Sequence, residues 1–419
     1  MYREDADGSA VVWGVPAAPF VPVQHLCISL PTVNVLSNYC FRLARERGWL
    51  QTAEEMAHAT PGAEGIESSR SVEQAGQSYT DSGNTFFLVG LEETLENPCP
   101  DFYSSPTPST LLVEANLYLI HVGNSSYSVL GQLYTYAEGS YETTRDLLGT
   151  VKVTSVWVSK LQRTPMTLPP DKRSLLHSII AKNASRPASP DGARAQRLSV
   201  SDFLQRSGWF SNASAIANVE TAAYSALSAP PPEEFVVSLP HVHSATPLWL
   251  LHRRHFKLRE SDIDFNLHVN QLVLKLFVVD TFRQAAADAR CAFSRLLRDG
   301  VPSNRADLLL RKLRIDYVRE VPMHCNATEV FLFAIDAVRA KTQLASAGTS
   351  VGSQDAGAAT PVAVSAGSAA DSPAVDVMEI GFFTVGVPSS EGGSASSASS
   401  HRRFIATVGT ISAATHFLH

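Results

Sequence analysis

Cysteine is scarce in this sequence, and long apolar runs are missing from it. The 419 residues include five scattered cysteines, an odd number without a Cys-x-x-Cys pair: Cys27, Cys40, Cys99, Cys291 and Cys325. We therefore expect neither a disulfide framework nor a cysteine zinc site, and a reducing compartment is the default. No stretch approaches the roughly 20 uninterrupted apolar residues of a membrane-spanning helix. These absences predict a soluble, intracellular chain without a membrane span.

Charged residues are also few, and acidic residues outnumber basic ones. Charged residues make up 18% of the chain against 44% hydrophobic residues, and the formal net charge is −6. This composition is typical of globular domains rather than of a disordered polyelectrolyte. Nucleic acid is not expected as a ligand, because phosphate binding needs a basic surface. The first residues include Glu4, Asp5 and Asp7 but no apolar segment, so we expect no secretory signal, and a transit peptide fits poorly.

Segments rich in small residues and proline divide the chain. Residues 173–246, with three consecutive prolines at 230–232, have the composition of a partly disordered linker. Ser, Ala and Gly dominate about 343–375 and 388–400, which we expect to be disordered insertions, since such segments bury too little apolar surface to offset their conformational entropy. The remainder comprises an N-terminal tail and two folded blocks, at 1–22, 23–172 and 247–418.

The first folded block has the pattern of one helix followed by strands. Apolar residues recur at helical spacing over 34–47, with Asn34 as the expected N-cap and Gly48 as the stop. The segments after it that are expected to form strands are 86–92, 111–121, 127–136 and 151–161.

The second block repeats this order with one strand added in front. A strand at 248–258 precedes a helix at about 269–297, and the strands that follow are 307–319, 329–338, 376–386 and 403–413. The face of this helix expected to be buried carries Val269, Leu272, Val273, Leu276 and Phe277. An antiparallel sheet can wrap the long helix of its block and bury the apolar side of that helix. The sequence therefore predicts an α+β fold of two similar units, an internal pseudo-dimer.

The densest polar cluster lies between the strand and the helix of the second block. Asp264, Asn266 and His268 alternate there, so they would share one face of an extended segment. At a helix start, free backbone N–H groups and the positive end of the helix dipole can hold developing negative charge. An ordinary helix cap is the alternative, but it accounts for only one or two of the three residues. Farther along, Glu320 ends a strand just before Pro322, where on its own it would be a solvated residue.

Residues 259–271 carry a specific motif. They resemble the signature of plant and bacterial acyl-ACP thioesterases, which is roughly Asp-Leu-Asp-x-Asn-x-His-Val-Asn-Asn. The departures from it are Ile263 and Gln271.

Two further segments support the same resemblance. Residues 317–320 are similar to the family's Tyr-Arg-Arg-Glu-Cys element, with Val321 where many members have cysteine. Residues 154–158 read Thr-Ser-Val-Trp-Val and resemble the end of the family's N-terminal domain, as do the following Arg163, Leu168 and Pro169.

The resemblance implies two tandem hotdog domains, each an antiparallel sheet wrapped around a long helix. It implies a thioesterase that hydrolyses fatty acyl-ACP to free fatty acid and carrier thiol in fatty acid biosynthesis, with the acyl chain in a non-catalytic N-terminal domain. The family's site residues map onto the C-terminal domain at Asp264, Asn266, His268 and Glu320. Since Val321 cannot act as a nucleophile, a water or carboxylate route is expected. The alternatives are an acyl-CoA thioesterase of the same fold and a catalytically inactive acyl- or carrier-binding protein.

Thioester hydrolysis needs an activated water and a site for the oxyanion. Our hypothesis makes Glu320 the general base towards water, while His268 positions or relays the proton and Asn266 orients the water or the carbonyl. Asp264 would fix the histidine tautomer or cap the helix, with a nucleophilic Asp264 as the alternative. We expect no cofactor beyond the phosphopantetheine that the substrate carries. We also expect no metal, because no carboxylate or cysteine stands at ligand spacing from His241, His243, His252 and His255.

Basic side chains on two strands give a weaker prediction about substrate delivery. A basic rim would suit an acidic carrier protein or the phosphates of CoA, and a solvated strand face is the alternative. The residues concerned are Arg253, Arg254, Lys257, Arg259, Arg311, Lys312 and Arg314. A homodimer of the tandem unit stays open, and the resemblance implies a mitochondrial or plastid location.

Overall fold

The structure is a computed structural model. It describes residues 1–21, 28–59, 84–96, 111–137, 145–159, 161–183, 236–237, 248–264, 267–288, 310–334, 377–389 and 404–414. No helix among these residues combines the length and the apolar character needed to cross a membrane.

The N-terminal domain is a sheet packed against a long helix. That helix is α1 (Leu30–Glu46), and the shorter helices are α2 (Ala53–Ala59) and α3 (Pro170–Asn183). The strands are β1 (Tyr2–Glu4), β2 (Ala10–Pro16), β3 (Asn84–Leu95), β4 (Leu111–Val122), β5 (Ser126–Ala137) and β6 (Asp146–Ser159). They pair antiparallel in the order β1-β2-β4-β5-β6-β3.

The C-terminal domain repeats this architecture. Its long helix, α4 (Gln271–Ala287), follows a short 3-10 turn (Glu260–Asp262) and packs on the sheet. The strands are β7 (Val236–Val237), β8 (Leu248–Lys257), β9 (Leu310–Tyr317), β10 (Cys325–Ala334), β11 (Val377–Pro388) and β12 (Phe404–Ala414). Their order is β9-β12-β11-β10-β8-β7, again antiparallel throughout.

The two sheets join into one twelve-stranded sheet at β3 and β9. These strands pair antiparallel, from Gly90 opposite Asp316 to Thr94 opposite Lys312. Each half of the sheet covers its own long helix, and the buried apolar core lies between each helix and its half of the sheet. The predicted α+β fold of two tandem hotdog domains is confirmed.

α1 begins four residues before the predicted start. Ser29 is extended and precedes the helix, and Pro31 fits the first turn because an N–H group there would have no helical partner. Asn34, expected as the cap, therefore lies inside the helix, where it is buried. The predicted stop is correct, since Gly48 follows the last turn with a φ of +101°, which glycine adopts without strain.

The buried face predicted for α4 is only partly correct, since Val269 and Phe277 are buried and Val273 packs against the core, but the other two residues are not buried. Leu272 and Leu276 are 37% and 39% exposed, whereas Leu274, Val278 and Phe282 are buried. The helix is apolar on nearly every side, so its periodicity does not reveal which side faces the sheet. The helix ends at Ala287, with Asp288 as its extended C-cap, whereas the prediction continued it to 297; residues 289–297 lie outside the described residues.

Two segments expected outside the domains belong to the first of them. Residues 1–22, predicted as a tail, contribute β1 and β2, and β2 pairs with β4. The expected linker at 173–246 begins inside α3, which packs on β4 with Leu176 and Ile179 buried. The two strands are short, with Gly8 between them and Gly14 inside the second, and α3 begins at Pro170, so their periodicity is hard to recognise. Of the expected linker, residues 236–237 form β7, and 184–235 and 238–246 lie outside the described residues. The expected insertion at 343–375 also lies outside them, whereas the one expected at 388–400 begins in β11, which ends at Pro388, and only 390–400 lie outside.

Candidate active site

A short antiparallel contact brings together the two motifs of the C-terminal domain. The Val269 N–H donates to the Val321 carbonyl at 2.7 Å, and His268 forms a bridge pair with Pro322. The segment before α4 and the segment after β9 are therefore neighbours in space, although they are far apart along the chain.

The side chains of His268 and Glu320 meet at this contact. Imidazole Nε2 lies 3.4 Å from carboxylate Oε2, and the two side chains are 16% and 31% exposed. The distance is slightly long for a formed hydrogen bond, but such bonds at active sites often tighten only when substrate is bound. The structure thus brings these two predicted site residues within reach of each other, at a surface that water can approach.

The second ring nitrogen of His268 has a different environment. Nδ1 is buried and has no hydrogen-bond partner among the described residues. When Nε2–H faces the carboxylate, Nδ1 carries the lone pair of the neutral imidazole. Water therefore approaches this pair from the Glu320 side.

Backbone hydrogen bonds join Asp264 to Leu267 and His268, so Asp264 and His268 do not lie in one extended segment. The Leu267 N–H donates to the Asp264 carbonyl at 3.0 Å, and the Asp264 N–H donates to the His268 carbonyl at 2.7 Å. Leu267 has a φ of +64°, which a turn allows and a strand does not. The Asp264 carboxylate accepts a hydrogen bond from the His268 N–H at 3.3 Å and so supports this arrangement. Asn266 lies outside the described residues.

Asn270, not Asp264, caps α4. Its Oδ1 accepts a hydrogen bond from the Leu272 N–H at 2.8 Å, and its own N–H donates to the Asp262 carbonyl at 2.8 Å. Two of the N–H groups at the helix start are therefore already bonded.

The first residue of α4 is anchored to both domains. The Gln271 carbonyl accepts a hydrogen bond from the Tyr317 hydroxyl of β9 at 3.1 Å, and Gln271 Nε2 donates to the Leu88 carbonyl of β3 at 2.8 Å. Burial and the nearby Glu93 raise the pKa of Tyr317, so its hydroxyl keeps the proton that it donates. These bonds fix the helix start next to His268.

The N-terminal domain adds a charged residue that no sequence motif assigns to the site. Arg163 follows β6, and its Nη1 lies 3.3 Å from Glu320 Oε1. Its guanidinium also lies 5.3 Å from the centre of the Phe87 ring in β3, within cation–π range. Motif spacing could not have revealed this contact, because it forms between the two domains.

A buried ion pair joins the domains near the site and was also missed. Lys275 Nζ of α4 lies 2.9 Å from Glu93 Oε1 of β3, and both side chains are buried. Burial raises the pKa of Glu93, against the effects of Lys275 and Asn34, and burial lowers the pKa of Lys275. One signal existed in the sequence, since Glu93 is in phase with Leu91 and Leu95 on the buried face of a strand.

The two cysteines that the structure describes are not activated nucleophiles. Burial raises the pKa of Cys325 to about 11 and that of Cys40 to about 12, which disfavours the reactive thiolate. Val321, which replaces the cysteine of the family motif, is fully buried. A thiol route therefore has no support among the described residues.

The basic residues predicted to receive the carrier lie on two well-separated strands. Between β8 and β9 stand β10, β11 and β12. Most of the charges have partners within the chain: Arg253 with Glu329, Arg259 with Asp262, Lys312 with Glu92 and Arg314 with Asp316, while Arg254 donates to the Asp280 carbonyl. Arg311 is on β9 and Lys257 ends β8. The structure does not gather these residues into one patch.

The histidines considered as metal ligands fall into two groups. His241 and His243 lie outside the described residues. On β8, burial lowers the pKa of His252, and His255 Nδ1 lies 3.4 Å from Glu329. No group of three His, Cys, Asp or Glu side chains in the described ranges is arranged to hold a metal ion.

Comparison with known proteins gives likenesses of structure only. No protein-family model and no curated protein matches the chain. The 12:0-ACP thioesterase from Umbellularia californica is similar over 97% of this chain and 93% of its own, with 12% identity and a TM-score of 0.44. An acyl-ACP thioesterase from Bacteroides thetaiotaomicron is similar over 97% of both chains, with 9% identity and a TM-score of 0.44. A 1,4-dihydroxy-2-naphthoyl-CoA thioesterase from Synechocystis covers 43% of this chain and 99% of its own, with 10% identity and a TM-score of 0.27.

Proposed function

We propose that the chain is a thioesterase that hydrolyses fatty acyl thioesters of acyl carrier protein, releasing free fatty acid and the carrier thiol in fatty acid biosynthesis. The observation that carries this proposal is the contact of His268 with Glu320 at 3.4 Å beside the start of α4. The sequence motifs around both residues supply the substrate class. No metal or activated thiol is needed, because a thioester carbonyl is electrophilic and its thiolate leaves readily.

Glu320 is the general base in this proposal. Its carboxylate is 31% exposed, so water can reach it, whereas Nδ1 of His268 is buried. Glu320 takes a proton from the attacking water, and the imidazole orients the carboxylate and passes the proton towards the leaving thiolate. Asp264 acts through the backbone of His268, whose N–H its carboxylate accepts.

The oxyanion is held by the start of α4. Of the first N–H groups, that of Asn270 bonds the Asp262 carbonyl and that of Leu272 bonds the Asn270 side chain. The role therefore falls to the N–H groups of Gln271 and Val273, supported by the positive end of the helix dipole.

Two substitutions test the proposal by thiol release from matched acyl-ACP and acyl-CoA series. Glu320→Gln and His268→Ala should each lower kcat on the order of 10²–10⁴-fold, the usual contribution of a general acid–base group. Glu46→Gln and His177→Ala, exposed residues of the other domain, are the matched controls and should retain full activity. Near-wild-type turnover by both site variants contradicts the assignment.

The same panel separates the three functions considered. Preference for acyl-ACP supports the proposal, and preference for acyl-CoA replaces the carrier by CoA at the same site. Thiol release from neither series identifies a silent acyl- or carrier-binding protein. A mitochondrial or plastid setting belongs to the proposal as well, and imaging of the tagged chain tests it.

A further inference from the structure

The Glu320 carboxylate is shared between the two domains. Its Oε1 faces Nη1 of Arg163 at 3.3 Å, and its Oε2 faces Nε2 of His268 at 3.4 Å. Each oxygen thus has its own nitrogen partner, so the orientation of the carboxylate is set from both sides. His268 belongs to the same domain as Glu320, and Arg163 does not.

The backbone at Arg163 has a conformation that glycine adopts more readily. Its φ is +55°, and Leu50 and Leu267 are the other non-glycine residues with positive φ in the described ranges. Leu267 directly precedes His268, so one of the other two adjoins the second partner of the carboxylate along the chain. Such backbone conformations persist where the surroundings enforce them, and they cluster at functional sites. Glycine would adopt this backbone conformation with less strain, so we attribute the presence of arginine here to the contacts that its side chain makes.

Local contacts hold the backbone and the guanidinium of Arg163 in place, independently of the Glu320 carboxylate. The Arg163 N–H donates to the Ser159 carbonyl at 2.8 Å, and the Ser159 N–H donates to the Thr164 carbonyl at 3.0 Å. The guanidinium lies 5.3 Å from the centre of the Phe87 ring. A planar guanidinium that is already oriented loses less entropy when it pairs with a carboxylate.

We propose that Arg163 is a positioning residue for Glu320, so that the C-terminal active site is complete only with the N-terminal domain in place. This inference rests on the proposed thioesterase function. Arg163 opposes one oxygen of the carboxylate and thereby aims the other at His268. It touches neither the water nor the thioester.

A different role for Arg163 would be to bind a phosphate of the substrate. The two roles separate when the substrate has no phosphate, as in an acyl thioester of N-acetylcysteamine. A phosphate-binding arginine matters only for the CoA thioester and affects KM. A positioning arginine matters equally for both thioesters and affects kcat.

The experiment compares Arg163→Gln and Arg163→Lys with the wild type on both thioesters. We expect Arg163→Gln to lower kcat on the order of 10- to 100-fold on either substrate, as a misplaced catalytic group does, with KM unchanged. Arg163→Lys should recover part of this loss, because it restores the charge but not the planar fork. Arg173→Gln is the matched control: Arg173 donates to Asn124 Oδ1 at 3.0 Å, away from Glu320, and its loss should leave kcat unchanged.

A crystal structure of Arg163→Gln gives a second test that does not depend on turnover. We expect the Glu320 carboxylate to turn away from His268 in it. Unchanged kcat on both thioesters, a loss confined to the CoA thioester, or an unmoved carboxylate overturns the proposal. A wild type that releases no thiol from acyl-ACP or from either small thioester, together with a displaced carboxylate in the variant, overturns the thioesterase function and leaves the positioning role standing.

Discussion

Of the ionic contacts that join the domains in the described residues, which include Lys312 with Glu92 at 2.7 Å, two differ sharply in their exposure to water. Lys275 and Glu93 are 2.9 Å apart, with side chains 1% and 0% exposed. Arg163 and Glu320 are 3.3 Å apart, with side chains 39% and 31% exposed. Each contact takes one residue from each domain. The two contacts therefore do the same structural task under opposite conditions of solvation.

Solvation decides what each contact can do. Removing charge from water is so unfavourable that a buried pair does not tolerate the loss of one charged partner. A half-exposed pair is screened by water and salt and contributes little to stability, and its carboxylate stays accessible to water. We infer that the Glu93–Lys275 pair fixes α4 to the sheet of the other domain, whereas the Arg163–Glu320 contact leaves room for chemistry.

Breaking the buried contact should have the largest effect on stability. Lys275→Met leaves the Glu93 charge buried without its partner, and we expect a loss of about 3–5 kcal/mol in the free energy of unfolding. Urea denaturation monitored by circular dichroism measures this loss. The matched change at the half-exposed contact, Arg163→Gln, should cost no more than about 1 kcal/mol.

A double variant serves as the control for this contrast. Replacing both members, in Glu93→Leu with Lys275→Met, removes the unpaired charge and should recover most of the stability lost by the single variant. If Lys275→Met costs no more than Arg163→Gln, burial does not separate the two contacts and the comparison fails.

The pH dependence of stability sharpens the comparison further. Burial raises the pKa of Glu93, so this group's contribution is full below its ordinary value of about 4.3 and is lost as the pH rises through the folded value. Burial lowers the pKa of Lys275, so its contribution is present above about 10.4 and is lost as the pH falls through the folded value. The free energy of unfolding of the wild type, relative to that of the double variant, should thus be lowest near neutral pH.

Unfolding free energies of both proteins in a series of buffers measure this difference. The gap should narrow from neutral towards acid pH as Glu93 takes up its proton in the folded state. A gap that widens towards acid pH would show that pairing with Lys275 outweighs burial.

Local sequence patterns predicted where the helices and strands lie better than they predicted which side of each helix is buried. Alternation placed the strands to within a few residues, for example 111–121 against the observed Leu111–Val122. The phase of α4 could not be predicted, because apolar residues cover most of that helix and only packing selects a side. The start of α1 was missed because asparagine is a residue type that often caps helices. Here, however, Asn34 lies inside the helix, and its side chain hydrogen-bonds Glu93.

The same division applies to the candidate site. Motifs that lie within one segment pointed to His268 and Glu320, and the turn between strand and helix brought them together. Arg163, Glu93 and Lys275 act across the domain boundary, so they depend on the pairing of β3 with β9. The periodicity within each domain does not predict that register, and neither does a resemblance that covers only short segments.

A small effect, comparable with that of Arg163→Gln, is expected at the start of α4, which follows His268 and precedes Lys275 along the chain. Asn270→Ala removes the side chain that accepts the Leu272 N–H and should cost about 1 kcal/mol, because only one N–H group at an exposed helix end loses its partner. Asn270→Asp keeps an acceptor at the cap and should retain most of the stability in the same urea titration. A loss from Asn270→Ala as large as that from Lys275→Met would mean that the helix start, rather than the buried pair, holds α4 against the neighbouring domain.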